Sequence, residues 1–198
     1  ENDYPNILKL LTISNIPLFY YERNKYHPIL IAGGACMFFN PEPIAPIFDM
    51  IFIGEGEEVL NEFINLLQSS FALKYKEELK MRAVSIKGIY IPQYYEITYD
   101  NDGKIVQRVS KEQAPTYIQR RFIEDLNTSQ IAHSILSTET EFSNMCLIEL
   151  MRGCQWRCRF CMVSHVYTPF RRKSPQRVLE EISNLQGKSR IGLVGPSL

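Results

Sequence analysis

The sequence has 198 residues, of which 45% are hydrophobic, and both values are ordinary for a folded globular protein. Lysine and arginine together number 22, as do aspartate and glutamate, so the overall charge favours no nucleic acid or acidic partner. Its apolar runs are far shorter than the ~20 residues of a membrane helix, and no basic-then-apolar leader is present, so we expect no membrane partner.

The cysteines indicate the compartment. Five are present, and three of them lie within residues 154–161. A secreted disulfide framework usually has an even number of cysteines spread along a short chain. Clustered cysteines are typical of metal binding in a reducing compartment, so the sequence favours a cytoplasmic protein. We expect the two isolated cysteines, Cys36 and Cys146, to be buried as small apolar residues.

The first stretch, residues 1–70, has the pattern of an α/β half-domain. Residues 28–32 and 49–53 are compact apolar runs, each followed by glycine, which predicts buried strands and tight turns. Residues 55–67 predict an amphipathic helix. Its apolar side is formed by Val59, Leu60, Phe63, Ile64 and Leu67. Buried strands that alternate with helices indicate a parallel sheet.

The second stretch, residues 71–145, changes character. Residues 74–84 are compatible with a further helix. Residues 94–99 and 104–109 are rich in β-branched and aromatic residues and flank Asn101-Asp102-Gly103, which predicts a β-hairpin. Residues 111–145 show little periodicity, and we expect a linker on the surface.

The third stretch, residues 146–198, predicts one βα unit. Residues 146–151 form a strand that continues directly into the three clustered cysteines. Ser174 followed by Pro175 is a typical helix start, and residues 190–194 predict the next strand. The expected buried face of the intervening helix consists of Val178, Leu179, Ile182 and Leu185.

Cys154, Cys158 and Cys161 have the spacing C-x3-C-x2-C. Three thiolates on so short a loop can hold one cubic 4Fe–4S cluster, and the fourth iron is then open or is ligated from elsewhere. Two alternatives remain open. One is a structural zinc site completed by a remote ligand such as His165, and the other is three thiols without a metal.

The cysteine loop, with the aromatic Phe160 before its last cysteine, resembles that of the radical S-adenosylmethionine (radical SAM) superfamily. The resemblance implies a 4Fe–4S cluster on the three cysteines and S-adenosylmethionine chelated to its open iron. It also implies that Phe160 lies near the adenine. The residues after the second strand, Gly195, Pro196 and Ser197, would then meet the methionine part of the cofactor.

In such an enzyme, reductive cleavage of S-adenosylmethionine produces a 5′-deoxyadenosyl radical that abstracts hydrogen from a substrate, here unknown. The resemblance implies a reducing partner such as a flavodoxin or ferredoxin. It further implies that residues 146–198 supply the first βα unit or units of a partial (βα)6 barrel. The competing function is a non-catalytic iron–sulfur or zinc module for electron transfer or scaffolding.

Residues 28–58 resemble the carboxyl-terminal part of the cobalamin-binding-type domain that precedes many radical SAM domains. The matching motifs are Gly33-Gly34, Asn40-Pro41-Glu42-Pro43 and Gly54-Glu55-Gly56-Glu57. This resemblance implies a flavodoxin-like sheet in residues 1–70. Gly33 and Gly34 are either cobalamin contacts or simple tight turns, which βα loops need in any case. The D-x-H-x-x-G segment that carries a cobalamin ligand is absent, which argues against cobalamin as a cofactor. We expect the sequence to be part of a longer enzyme and inactive alone.

Residues 152–177 contain seven basic residues and no acidic one. This basic segment has three interpretations. It offsets the negative charge of an iron–sulfur cluster and of S-adenosylmethionine, it is a solvated face, or it binds nucleic acid. The last interpretation lacks support from interleaved aromatic residues.

Overall fold

The computed structural model describes residues 3–69, 76–111, 113–129, 138–139, 141–185 and 190–197. The chain divides into two compact units, residues 1–122 and residues 123–198. Unit 1 therefore includes the predicted hairpin as well as the predicted α/β half-domain, and the division falls inside the predicted linker. No helix in the described ranges is long and apolar enough to cross a membrane.

Unit 1 combines a small mixed sheet, a hairpin and flanking helices. Its helices are α1 (Asp3–Ile13), α2 (Ala35–Phe39), α3 (Gly56–Ser69) and α4 (Lys76–Ala83). Its strands are β1 (Ile31–Ala32), β2 (Met50–Phe52), β3 (Ile89–Tyr90), β4 (Tyr95–Tyr99) and β5 (Ile105–Ser110). Short 3₁₀ helices occupy Tyr20–Glu22, Glu42–Ile47 and Pro92–Tyr94. The mixed α/β class predicted from the sequence is confirmed.

The sheet has the order β1-β2-β3. β1 pairs with β2 in parallel, as predicted, whereas β3 pairs with β2 in the antiparallel direction. All three residues of β2 are buried, because it is the central strand. The prediction of a buried strand at residues 28–32 is wrong at Ile31, which is 40% exposed, because β1 lies at the edge of the described sheet.

Helix α3 confirms the predicted helix but not its predicted apolar face. Only Val59 and Phe63 are buried, and the Phe63 ring meets Phe52 of β2 edge-on with centroids 5.3 Å apart. Leu60, Ile64 and Leu67 are exposed. Val59 and Phe63 are four residues apart and lie in one row along the helix. The buried contact is only as wide as this row, so the apolar residues beside it remain exposed.

The hairpin is confirmed in both strands. β4 and β5 pair from Tyr95–Ser110 to Tyr99–Ile105, with an irregularity after Thr98. Asp100 closes the turn, because its carboxylate accepts hydrogen bonds from the backbone N–H groups of Asp102 and Lys104 at 2.9 and 2.8 Å.

The first part of the predicted linker is held by hydrogen bonds and ion pairs of Arg121 and does not lie free on the surface. Arg121 forms a parallel bridge with Gly54, and its backbone N–H donates to the Ile53 carbonyl at 3.0 Å. Its guanidinium pairs with Glu58 and Glu62 of α3 at 2.6 and 2.7 Å. This segment therefore lies across the carboxyl end of β2 and the start of α3. Residues 112, 130–137 and 140 of the predicted linker lie outside the described residues.

Unit 2 contains the predicted strand–loop–helix–strand order. Its elements are β6 (Met145–Glu149), β7 (Met151–Arg152), α5 (Val163–Val166), β8 (Arg171–Arg172), α6 (Pro175–Ser183) and β9 (Arg190–Val194), with a 3₁₀ turn at Leu126–Thr128. β6 and β9 pair in parallel over five residues, from Met145–Arg190 to Glu149–Val194. Parallel neighbours joined through a helix confirm the predicted βα unit.

Helix α6 begins as predicted, because the Ser174 hydroxyl accepts a hydrogen bond from the Arg177 N–H at 3.2 Å. Its predicted buried face is wrong. No residue of α6 is buried, and Leu179 is 65% exposed. The helical period places the four apolar residues on one side, where Val178, Ile182 and Leu185 are half-buried rather than buried.

Candidate metal centre in the cysteine loop

Residues 153–170 form a loop, here called the cysteine loop, that is closed at its base by two short strands. β7 pairs with β8 in the antiparallel direction, with Met151 opposite Arg172 and Arg152 opposite Arg171. The Leu150 N–H donates to the Val194 carbonyl and the Lys173 N–H to the Leu150 carbonyl, both at 2.8 Å. The base of the loop is therefore attached to the carboxyl ends of β6 and β9.

Gly153 opens the loop at a position where no side chain fits. Its φ is +77°, and a β carbon there would lie 2.3 Å from the Tyr167 carbonyl oxygen and 3.2 Å from the Phe170 α carbon. Only glycine accepts both this backbone conformation and such close backbone contact. The returning end of the loop thus packs directly against its beginning.

Arg171 fastens that returning end from inside the unit. This residue is buried, its Nε donates to the Pro169 carbonyl at 3.0 Å, and its Nη1 donates to the Ile123 carbonyl. A buried guanidinium is costly unless its N–H groups are hydrogen-bonded, so these bonds hold the segment before β8 in place.

The three clustered cysteines lie on this loop as free, half-buried thiols. The Cys161 N–H donates to the Cys158 carbonyl at 3.0 Å, and Arg157 has a φ of +46°, so the loop turns sharply between its cysteines. The turn does not gather the three sulfurs. Over the part of the chain that the structure describes, no group of three His, Cys, Asp or Glu side chains is arranged to hold a metal ion.

The chemistry of the donor set nevertheless fits an iron–sulfur cluster. The cysteine loop offers thiols and contains no aspartate or glutamate. Thiolate ligands select iron–sulfur clusters, zinc or copper(I) rather than the harder cations that prefer carboxylates. The residues that would hold a cluster are Cys154, Cys158 and Cys161, and in this structure they stand in an open arrangement.

Fewer side chains of the basic segment are free to face an anion than the sequence suggests. Arg152 pairs with Glu149 at 2.7 Å, and the fully buried Lys173 ammonium contacts both oxygens of Glu181 at 2.7 and 2.8 Å. Arg177 pairs with Glu181 at 3.2 Å, and Arg171 is bound to backbone carbonyls. The interpretation that the whole basic segment offsets the negative charge of a cluster and of S-adenosylmethionine is therefore wrong for these four residues.

Three basic side chains remain exposed, those of Arg157, Arg159 and Arg172. None of them forms an ion pair with any described residue. They are the part of the basic segment that is free to face an anion.

The predicted cofactor contacts of unit 2 fall in two places. Phe160 is 90% exposed on the cysteine loop. Gly195, Pro196 and Ser197 directly follow β9, and the Ser197 hydroxyl lies 3.5 Å from the Met151 sulfur at the base of the loop. The residues after β9 thus lie next to the start of the cysteine loop, whereas Phe160 points into solvent.

In unit 1, Gly33 and Gly34 lie between β1 and α2, and Gly34 has a φ of +96°. Their geometry is that of a strand-to-helix turn. The Nδ1 of the half-buried His27 accepts a hydrogen bond from the Asn24 N–H at 3.0 Å, whereas His165 is exposed. Cys146 is fully buried as predicted, but the prediction is wrong for Cys36, which is exposed in the first turn of the short helix α2.

Sequence reasoning missed Gly153 and Arg171 as organisers of the loop. A signal for Gly153 was available, since glycine directly precedes the first cysteine. Arg171 gave none, because its role depends on the Ile123 carbonyl, which is remote in sequence.

Comparison with known proteins agrees with this reading. A protein-family model described as "Radical SAM proteins, N-terminal" matches residues 1–92, which lie in unit 1. This match supports the resemblance to the radical SAM superfamily that the cysteine spacing in unit 2 predicted.

Two curated relatives extend the comparison. An uncharacterised protein of Methanocaldococcus jannaschii, MJ0966, is 28% identical over 203 residues, which cover 100% of this chain and 36% of that protein. The anaerobic magnesium-protoporphyrin IX monomethyl ester cyclase of Cereibacter sphaeroides is 28% identical over 152 residues, covering 75% of this chain and 21% of the cyclase. The chain thus spans about a third of the first relative and about a fifth of the second.

Proposed function

We propose that this chain is part of a radical SAM enzyme in which Cys154, Cys158 and Cys161 hold a 4Fe–4S cluster. The observation that carries the proposal is the cysteine loop itself, with three free thiols and no carboxylate between two paired strands. Three thiolates leave one of the four irons without a protein ligand from this loop. Superfamily membership makes S-adenosylmethionine the expected ligand there.

The cluster, when bound, supplies the electron for reductive cleavage of S-adenosylmethionine to 5′-deoxyadenosine. The chain's own residues would shape the site in which the cluster and S-adenosylmethionine bind. Gly153 and Arg171 fix the two ends of the loop, while its middle is free to draw the three sulfurs together on metal binding. Phe160 offers a flat apolar surface suited to the adenine, and Ser197 stands next to the base of the loop.

The finer features of the fold belong to the same proposal. Unit 1 would be part of a flavodoxin-like, cobalamin-binding-type domain, and unit 2 would begin a partial (βα)6 barrel. The parallel pairs β1–β2 and β6–β9 support both assignments. Gly33 and Gly34 remain candidate contacts to a corrinoid or residues of a tight turn. The substrate is unknown, and a flavodoxin or ferredoxin is the expected electron donor.

The test uses the full-length protein, purified and reconstituted without oxygen with iron and sulfide. We expect about four irons and four sulfides per chain. We also expect a change in the EPR signal of the reduced cluster when S-adenosylmethionine is added, and formation of 5′-deoxyadenosine. Cys154→Ser, Cys158→Ser and Cys161→Ser should each lose the cluster and the product.

Cys36→Ser is the matched control, because Cys36 is an exposed free cysteine of unit 1 and does not belong to the cysteine loop. It should retain iron, sulfide and product. One tightly bound zinc in place of iron, with no 5′-deoxyadenosine, would refute the enzyme and support a non-catalytic zinc module. An iron–sulfur cluster whose EPR signal does not change when S-adenosylmethionine is added would instead support an electron-transfer module.

A further inference from the structure

Unit 1 contains a cavity of about 220 Å³ at the carboxyl end of its parallel strands. Ile53 directly follows β2, and Met37 and Phe38 belong to α2, which follows β1. Glu42, Tyr90 and Arg108 supply polar groups to the same cavity. Crevices outside the carboxyl ends of parallel strands are where open α/β sheets bind ligands.

Glu42 presents a fixed carboxylate to the cavity. The hydroxyl of the buried Tyr90 donates to Glu42 Oε1 at 2.7 Å. Burial and this hydrogen bond to Glu42 raise the pKa of Tyr90, so the hydroxyl remains a donor and keeps the carboxylate in place. No basic side chain among the described residues forms an ion pair with Glu42, so its charge is not neutralised.

Arg108 presents a fixed cation. Its guanidinium carbon lies 4.5 Å from the centroid of the Tyr95 ring and 5.9 Å from that of Tyr90. Tyr95 is itself held, because its hydroxyl donates to the Pro115 carbonyl at 2.6 Å. Within the described ranges, no carboxylate lies within ion-pair distance of Arg108. Stacking on aromatic faces orients the guanidinium and leaves N–H groups for an anion.

One cavity therefore holds a carboxylate and a guanidinium that do not pair with each other, together with an apolar wall. We propose that it binds a free α-amino acid with an apolar side chain. Arg108 would receive the ligand carboxylate, Glu42 the ammonium group, and Met37, Phe38 and Ile53 the side chain.

Charge and size both select this class. A ligand with a single charge would desolvate the second protein charge without pairing it, which is unfavourable. The volume is below the ~300–1,000 Å³ of sites for drug-sized ligands, so the cavity is too small to enclose a corrinoid and suits a small metabolite. The inference does not depend on the iron–sulfur cluster.

Isothermal titration calorimetry on the full-length protein tests the proposal with L-leucine, L-methionine and L-phenylalanine. We expect at least one of them to bind saturably. For L-leucine, the probes 4-methylpentanoate and isopentylamine each lack one charged group, and analogous probes exist for the other two. Each such probe should bind at least about tenfold more weakly than its parent amino acid, because a hydrogen-bonded charge is left without a partner.

Arg108→Gln and Glu42→Gln should each weaken amino-acid binding by a similar factor of about ten or more. Lys104→Gln is the matched control on the same hairpin, since the exposed Lys104 ammonium pairs with Asp102 at 3.6 Å and does not line the cavity, and it should bind as the parent does. Circular dichroism verifies that the variants are folded. Absence of saturable binding for all three amino acids would overturn the proposal, as would unchanged affinity in Arg108→Gln or equal binding of a probe with one charge.

Discussion

Asp49 is the residue on which the buried charges of unit 1 converge. Its carboxylate contacts Arg23 at 3.1 Å and Lys80 at 3.9 Å, and it accepts a hydrogen bond from the Leu30 N–H at 2.9 Å. The three charged side chains are at most 4% exposed. Asp49→Asn removes the carboxylate that pairs with the buried Arg23, while Lys80 keeps its ion pair with Glu77 at 2.7 Å, so we expect a loss of about 3–5 kcal/mol in the free energy of unfolding.

Urea unfolding followed by circular dichroism measures this loss. Asp102→Asn is the matched control, because that carboxylate pairs with Lys104 on an exposed turn at 3.6 Å. Exposed pairs contribute less than about 1 kcal/mol. Equal midpoints for the two variants would show that Asp49 does not organise the buried charges.

Gly54 is the second residue on which unit 1 depends. Its φ is +124°, and a β carbon at this position would lie 2.2–2.8 Å from backbone atoms of Arg121. Gly103 in the hairpin turn also has a positive φ, +76°, but a β carbon there meets nothing within 4 Å. Gly54→Ala should therefore destabilise the protein by about 1–3 kcal/mol more than Gly103→Ala, because only the first adds a steric clash.

Thermal unfolding of the two alanine variants separates the cost of the backbone conformation from the cost of the steric clash with Arg121. Both carry the cost of the positive φ, and only Gly54→Ala must also displace the segment that pairs with it. If the two melting temperatures fall equally, the bridge between Gly54 and Arg121 does not constrain unit 1.

Among the elements, α6 permits a direct test of local stabilisation. Ser174 accepts a hydrogen bond from the Arg177 N–H, while Ser183 near the other end of the helix donates to the Glu180 carbonyl at 2.8 Å. An N-cap hydroxyl satisfies a backbone donor that otherwise has no partner in the helix. Ser174→Ala should cost about 1 kcal/mol, and Ser183→Ala should cost clearly less. Urea titration measures both, and equal costs would contradict the capping role.

This helix also shows what could be predicted from the sequence. Ser174-Pro175 marked its start because capping is a local interaction, and the D-G turn marked the hairpin for the same reason. Burial could not be predicted equally well. Leu179 lies on the expected face but is exposed, because burial depends on what packs against the helix.

The cysteine ligands of the candidate metal centre could be predicted from the sequence, but the contacts that hold their loop in place could not. The spacing of the cysteines is local information, and so is the glycine that precedes them. The hydrogen bonds of Arg171 to the loop and the pairing of Lys173 with Glu181 are tertiary contacts, which a single sequence does not reveal. The cavity with Glu42 and Arg108 escaped sequence reasoning for the same reason, since the two residues belong to different elements.

At the scale of the whole molecule, the distribution of charge favours one interpretation of the basic segment over another. Basic and acidic residues balance at 22 each. Within that segment, Arg152, Lys173 and Arg177 are paired with glutamates and Arg171 with carbonyl groups. Within this segment only Arg157, Arg159 and Arg172 remain exposed, which favours contact with one small anion over a surface that holds nucleic acid by its phosphates.

We therefore expect no saturable nucleic-acid binding by this chain at about 150 mM salt. At low salt, three free arginines can neutralise about three phosphates, so the logarithm of the affinity should fall with the logarithm of salt concentration with a slope no steeper than about −3. Fluorescence anisotropy with a labelled duplex and a labelled RNA strand measures the slope, and the combined variant Arg157→Gln, Arg159→Gln and Arg172→Gln should abolish the residual binding. A steeper slope would contradict this, because it would require phosphate contacts from basic residues other than these three.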